Sequence, residues 1–107
     1  MLYKFKSKAA GDLIMLEPNG RRVLEIIGKD PGPTGIIQTP EMGPAVSALE
    51  QAIAEEEARQ KAMVEEAKAQ GEEPPHFDAI GLRQRAVPFI DMLRRCEKAG
   101  KDIVWGV

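Results

Sequence analysis

Both ends of the chain alternate apolar and polar residues with a period of two, and this restricts the fold more than any other feature. From Leu2 to Ser7, Tyr3 and Phe5 fall on one side while Leu2, Lys4 and Lys6 fall on the other, the pattern of a half-buried strand. At the far end Ile103, Trp105 and Val107 share a face, behind a helix stop at Gly100. Two short strands are marginal in water by themselves. The terminal strands must therefore pair with each other, lie against helices or extend across a subunit boundary. The lysines on the outer face discourage indiscriminate edge pairing. A chain of 107 residues is ordinary for one domain and short for two.

Residues 11–28 admit two readings. Leu13, Leu16, Gly20, Val23, Leu24 and Ile27 fall at helical spacing, with Gly28 placed as a stop. Against this, Pro18-Asn19-Gly20 sits between two apolar runs like a hairpin turn. Pro18 would break a helix begun at Leu13 but is at home in a first helical turn. The expectation is a helix from about Pro18, with Leu13 to Leu16 an extended or single-turn lead-in; the hairpin is the alternative.

Asp30 to Gly35 is a loop by composition, and Gly35 to Gln38 is a candidate third strand. Thr39-Pro40-Glu41 opens a helix, Thr39 as cap and Glu41 against the positive end of the dipole. Val46, Leu49, Ile53, Met63, Val64 and Ala67 then trace an apolar stripe that Glu56 and Gln60 interrupt. Residues 45–70 would span about 40 Å, more than a core of this size requires, so the distal half is expected to project into water or pack on another chain. Gly71 to Asp78 reads as an acidic loop. A last helix starts near Gly81, and Leu82, Ala86, Phe89, Ile90, Leu93 and Cys96 keep helical phase straight through Pro88, which indicates one continuous helix with a kink. The fold class is thus α+β: a small sheet of N- and C-terminal strands packed on about three helices, the middle one long. The expected organisation is a single domain over residues 1–107, with residues 55–78 a protruding acidic helix end and loop.

Charge is unevenly spread. Residues 1–40 carry six bases and four acids, residues 41–78 three bases and ten acids, and residues 79–107 six bases and three acids. The middle helix is a negative rod between basic flanks, and folding it onto those flanks or onto a second subunit is electrostatically favourable within the screening length. The overall charge of −2 offers no global attraction for nucleic acid or acidic lipid. A single Cys excludes an intrachain disulfide framework. The longest apolar run near the start, Leu13 to Leu16, is far below the roughly 20 residues of a spanning helix. Lysines interleave the N-terminal apolar residues, unlike a signal peptide. The expected setting is cytoplasmic, with no membrane partner.

The chemistry-bearing residues form no strong constellation. Glu72, Glu73, His76 and Asp78 hold the one His amid carboxylates, but no second His completes a common metal site, and a solvated loop is the better reading. Cys96 lies on the apolar side of the last helix near its C-terminus, the helix end opposite to the one that suits a nucleophilic thiolate; it reads as core. No catalytic, cofactor-binding or metal-ligating residue is assigned. Arg94, Arg95 and Lys98 form a candidate basic patch. Only Arg94 and Lys98 align, so a solvated face or a dock for the acidic helix is preferred to nucleic-acid binding. Tyr3, Phe5 and Trp105, with Met63 and Val64 on the long helix, are candidate interface residues, the sheet aromatics being core first. The leading functional reading is a non-enzymatic interaction or self-association module, with a second copy or another protein as partner. The alternatives are a small-ligand-binding protein or enzyme, with a pocket between the sheet and the first and last helices, and a weak nucleic-acid binder acting through the basic last helix.

Met1 to Ala9, Asp12 to Leu16, Val23 to Lys29, Leu82 to Leu93 and Val104-Trp105 together resemble a small proteobacterial family known as domain of unknown function eighteen-forty. The resemblance covers nearly the whole chain and is least distinctive from Glu55 to Asp78. It implies a small cytoplasmic bacterial protein acting as one domain. It implies no activity and carries over no site residue. It also favours a helix over a hairpin for residues 18–28.

Overall fold

The computed structural model describes residues 2–77 and 81–106. Seven elements follow one another: β1 (Leu2–Ser7), β2 (Ala10–Leu16), α1 (Glu17–Ile26), β3 (Gly35–Ile37), α2 (Thr39–Ala69), α3 (Leu82–Ala99) and β4 (Ile103–Trp105). The strands form one antiparallel sheet in the order β2-β1-β4-β3. The terminal strands pair directly, Phe5 opposite Trp105 and Lys6 opposite Val104. Gly35 to Ile37 adds the third strand that the sequence offered, with Ile36 opposite Val104.

The fourth strand is the main departure from expectation. Residues 10–16 form a full strand paired along β1, Leu2 opposite Leu16 and Tyr3 opposite Met15; Leu13 to Leu16 is its extended second half. The chain reverses between Ser7 and Ala10, and Pro18-Asn19-Gly20 lies inside α1 instead of forming a hairpin turn. Leu13-Ile14-Met15-Leu16 is apolar at every position, so its inward and outward residues cannot be told apart by polarity. In three dimensions Met15 is buried while Ile14 and Leu16 are exposed. Gly20 also has a packing role that no turn would satisfy. A Cβ there would collide with the Tyr3 ring, so the missing side chain lets α1 lie against β1.

The helices start and stop largely where their patterns indicate. The cap of α2 is a correction: Thr39 is the first helical residue, and the cap position belongs to Gln38. The Gln38 N–H donates to Glu41 Oε1 at 2.8 Å, and the Thr39 N–H donates to Asp102 Oδ1 at 3.1 Å. α3 runs without interruption through Pro88 and ends at Gly100, as the phase of its apolar residues requires.

The core lies between one face of the sheet and the three helices. Phe5 is its hub, with ring centroids 4.8 Å from Phe89, 5.9 Å from Trp105 and 6.1 Å from Tyr3. Helix α1 adds Val23 and Leu24, α2 adds Met42, Ala45, Val46, Leu49 and Ile53, and α3 adds Leu82, Ala86, Ile90, Met92, Leu93 and Cys96. Beyond Ile53 the only buried residue of α2 is Ala67. A helix of 31 residues is about 46 Å long at the usual rise, and the molecule measures 53 × 28 × 21 Å. Its long dimension follows from this helix.

Candidate association surface

The acidic helix finds its counter-charges within the chain. Arg83 holds Glu57 with two parallel bonds, Nε to Oε2 at 2.8 Å and Nη2 to Oε1 at 2.7 Å, the fork geometry suited to a carboxylate. Arg94 donates to Glu50, and Arg22 of α1 donates to Glu56 at 3.0 Å. The Arg83 guanidinium holds the Glu57 carboxyl below its ordinary range. Glu56 is held low first by the Leu82 amide and then by Arg22, against the partial burial that pushes the other way. The charge segregation seen in the sequence is thus answered in part by α3 packing beside α2.

These pairs separate the candidate basic patch. Arg94 faces α2, whereas Arg95 lines a small groove beside Ala10 to Leu13 with Pro88, Asp91 and Met92. Lys98 is exposed. Arg94 and Arg95 thus turn to different sides of α3, the first occupied by Glu50.

Of the candidate interface residues, Tyr3, Phe5 and Trp105 are buried. Even their polar ends are engaged internally, the Tyr3 hydroxyl donating to Pro31 O at 2.7 Å and Trp105 Nε1 donating to Gly32 O at 3.1 Å. They bind the 31–34 loop to the sheet. Met63 is 46% exposed. Val64 is half-buried and lines a hollow of about 410 Å³ with Phe77.

The apolar side chains that do reach the surface lie on the other face of the sheet. Leu2 is 56% exposed, Ile14 56% and Leu16 61%. Leu2 and Leu16 are cross-strand partners, and Ile14 follows Leu16 on the same face, beside Lys4. These three form a contiguous apolar corner at the end of the sheet order, where β2 has β1 on one side and, among the described residues, no strand on the other. Lys4 and Asp12 pair at 3.6 Å on the same face. Sequence reasoning placed Leu2 outward but missed Ile14 and Leu16. Reading residues 10–16 as a strand would have put Asp12, Ile14 and Leu16 on one face.

Other candidates take ordinary places. Cys96 is fully buried. His76 Nε2 lies 3.8 Å from Glu73 Oε1, both side chains almost fully exposed; Asp78 is outside the described residues. Among the described residues no three His, Cys, Asp or Glu side chains gather as a metal-binding group. No helix there is long and apolar enough to cross a membrane. The space between sheet and helices is occupied by the core, and the groove at its edge, between β2 and α3, has a volume of about 260 Å³, below the roughly 300–1,000 Å³ of small-molecule sites.

Fold and surface together define an α+β protein whose antiparallel sheet is backed by three helices on one face and carries an apolar corner on the other. The chain belongs to the family described as domain of unknown function (DUF1840), whose model matches residues 1–105. No curated protein and no solved structure matches it.

Proposed function

We propose that the protein is a non-enzymatic self-association module in which β2 pairs antiparallel with β2 of a second copy across a two-fold axis. The observation that carries this reading is the contiguous cluster of Leu2, Ile14 and Leu16 at the free edge of the sheet. Isolated exposed apolar residues are normal on any protein. Three large ones, each more than half exposed and touching a free seven-residue strand, are a liability that pairing lessens, by satisfying the strand edge and setting the side chains against each other across it.

A second copy suits the edge because an antiparallel strand pair is self-complementary. An axis at Ile14 sets Ile14 opposite its own copy and Asp12 opposite Leu16, so no like charges meet in register. The result is a continuous eight-stranded sheet, with the two apolar corners adjoining on its outer face. The acidic arm beyond Ile53, with Met63 and Val64, provides a second candidate contact. A cytoplasmic, homodimeric protein is the form this reading takes.

Size-exclusion chromatography with light scattering tests it. The wild-type chain is expected to run as a dimer, and an Ile14→Glu, Leu16→Glu variant as a monomer with an unchanged far-ultraviolet spectrum. A wild-type chain that stays monomeric at its highest soluble concentration would overturn the reading.

A further inference from the structure

A second feature of the outer sheet face lies away from the β2 edge. Lys6, Val104 and Ile36 form a row across β1, β4 and β3, each paired in register with the next. The end of β1 and the turn after it bring Ser7 and Lys8 to one end of this row, and the link between α3 and β4 brings Gly100, Lys101 and Asp102. Together they line an open hollow of about 520 Å³, within the size range of small-molecule sites. Its floor is apolar, with Ile36 41% exposed.

The charge of this hollow stands out in a chain with an acid excess. Lys6, Lys8 and Lys101 line it against one carboxylate, Asp102, whose Oδ1 is already accepting the Thr39 N–H. Among the described residues none of these three lysines enters an ion pair, as is also true of Lys61, Lys68 and Lys98; what sets them apart is that they line one hollow. Three lysines lining one concavity make its potential positive, which favours an anion there. Three cations less one anion leave two positive charges, which matches the roughly −1.5 to −2 of a phosphate monoester at neutral pH. Lysine serves such groups as a mobile point charge.

We propose that this hollow binds a small phosphate monoester, its dianion held among Lys6, Lys8 and Lys101 and its organic part lying on Val104 and Ile36. The apolar floor distinguishes such a ligand from inorganic phosphate. The compactness of the cluster distinguishes it from a nucleic-acid strand, whose successive phosphates need an extended basic track. The site does not depend on the pairing of β2.

Phenyl phosphate is the probe, followed by nuclear magnetic resonance on the full chain. Saturable shifts of the Ser7, Lys8 and Lys101 amides and of the Val104 and Ile36 methyl groups are expected, at lower concentrations than inorganic phosphate requires. A Lys6→Gln, Lys101→Gln variant is expected to bind about tenfold more weakly, the combined effect of two exposed ion pairs. A Lys61→Gln, Lys68→Gln variant on α2 is expected to bind like wild type. Non-saturating shifts spread over all lysines, or equal affinity for inorganic phosphate, would overturn the proposal. So would binding to phosphatidic acid vesicles with none to phenyl phosphate, since the ligand would then be a lipid surface. The wild-type map decides the matter by itself if the double variant fails to fold.

Discussion

Glu56 of the long helix accepts the backbone N–H of Leu82 at 2.9 Å, and so supplies the cap that the start of α3 lacks. Gly81 occupies the cap position and has no side chain to offer. The other carboxylate oxygen of Glu56 takes Arg22. One side chain therefore joins α1, α2 and α3 at the point where α2 leaves the core.

Replacing Glu56 by Ala removes the cap and the bridge together. A loss of about 1 kcal/mol is expected from the orphaned helix N–H. Glu56→Gln, which keeps an acceptor oxygen, should lose less. Urea denaturation of both variants beside wild type measures this, and faster amide exchange at Leu82 in the Ala variant would locate it. Equal midpoints for wild type and Ala would show that the cap carries no stability.

Acid should destabilise the protein through the same carboxylate and through Glu41. Glu41 is held below the ordinary value of 4.5 chiefly by its bond to Lys29 and then by the Gln38 amide, and Glu56 lies below the same value. Because both folded-state values are lowered, their contribution is fully present above the unfolded value. It is lost as pH falls from there through the lower folded values. The Glu41 side chain is 39% exposed and that of Glu56 16%, so solvent screening keeps the Glu41 share modest. Denaturant midpoints on either side of pH 4.5 should fall on the acid side, and a Glu41→Gln, Glu56→Gln variant should show a shallower fall.

Gly35 and Gly20 are held by close approach. A Cβ on Gly35 would overlap the Trp105 indole, and one on Gly20 the Tyr3 ring. Both rings are buried among rigid neighbours and have little room to move. Gly35→Ala and Gly20→Ala are each expected to cost about 1–3 kcal/mol, the usual penalty of overpacking. Thermal melts followed by Trp105 fluorescence provide the measurement; an unshifted midpoint for Gly35→Ala would show that the strand pair gives way without strain.

Trp105→Phe tests the latch on the 31–34 loop. The substitution keeps an aromatic ring in the core but deletes the Nε1–H bond to Gly32 O and part of the buried ring. A loss of about 1–3 kcal/mol is expected from the missing bond and volume. Raised amide exchange should be confined to the loop and β3. Exchange rising equally through α2 would indicate that the indole supports the whole core instead.

The elements legible in the sequence are those whose signal is carried by near neighbours. Tyr3 and Phe5 alternate with lysines, and the apolar residues of α3 keep phase through Pro88. The proline and glutamate ahead of Val46 mark the start of the long helix, although the cap fell one residue from Thr39. What was hidden has a physical cause in each case. In Leu13-Ile14-Met15-Leu16 both strand faces are apolar, so alternation left no trace, and with it went the apolar corner that makes the candidate surface. Nor does a sequence show that the polar ends of Tyr3 and Trp105 fasten the 31–34 loop.

The sequence by itself determined the α+β class, the pairing-competent strands at both ends, the length of α2 and its negative charge, because periodicity, caps and charge runs act over a few residues. Tertiary structure alone decided which groups meet from afar: Glu56 with Leu82 across 26 positions and Asp102 with Thr39 across 63. It also decided the placing of Lys6, Lys8 and Lys101 around one hollow. Such meetings depend on how helices and sheet pack once the core closes around Phe5, and a linear pattern does not carry that information.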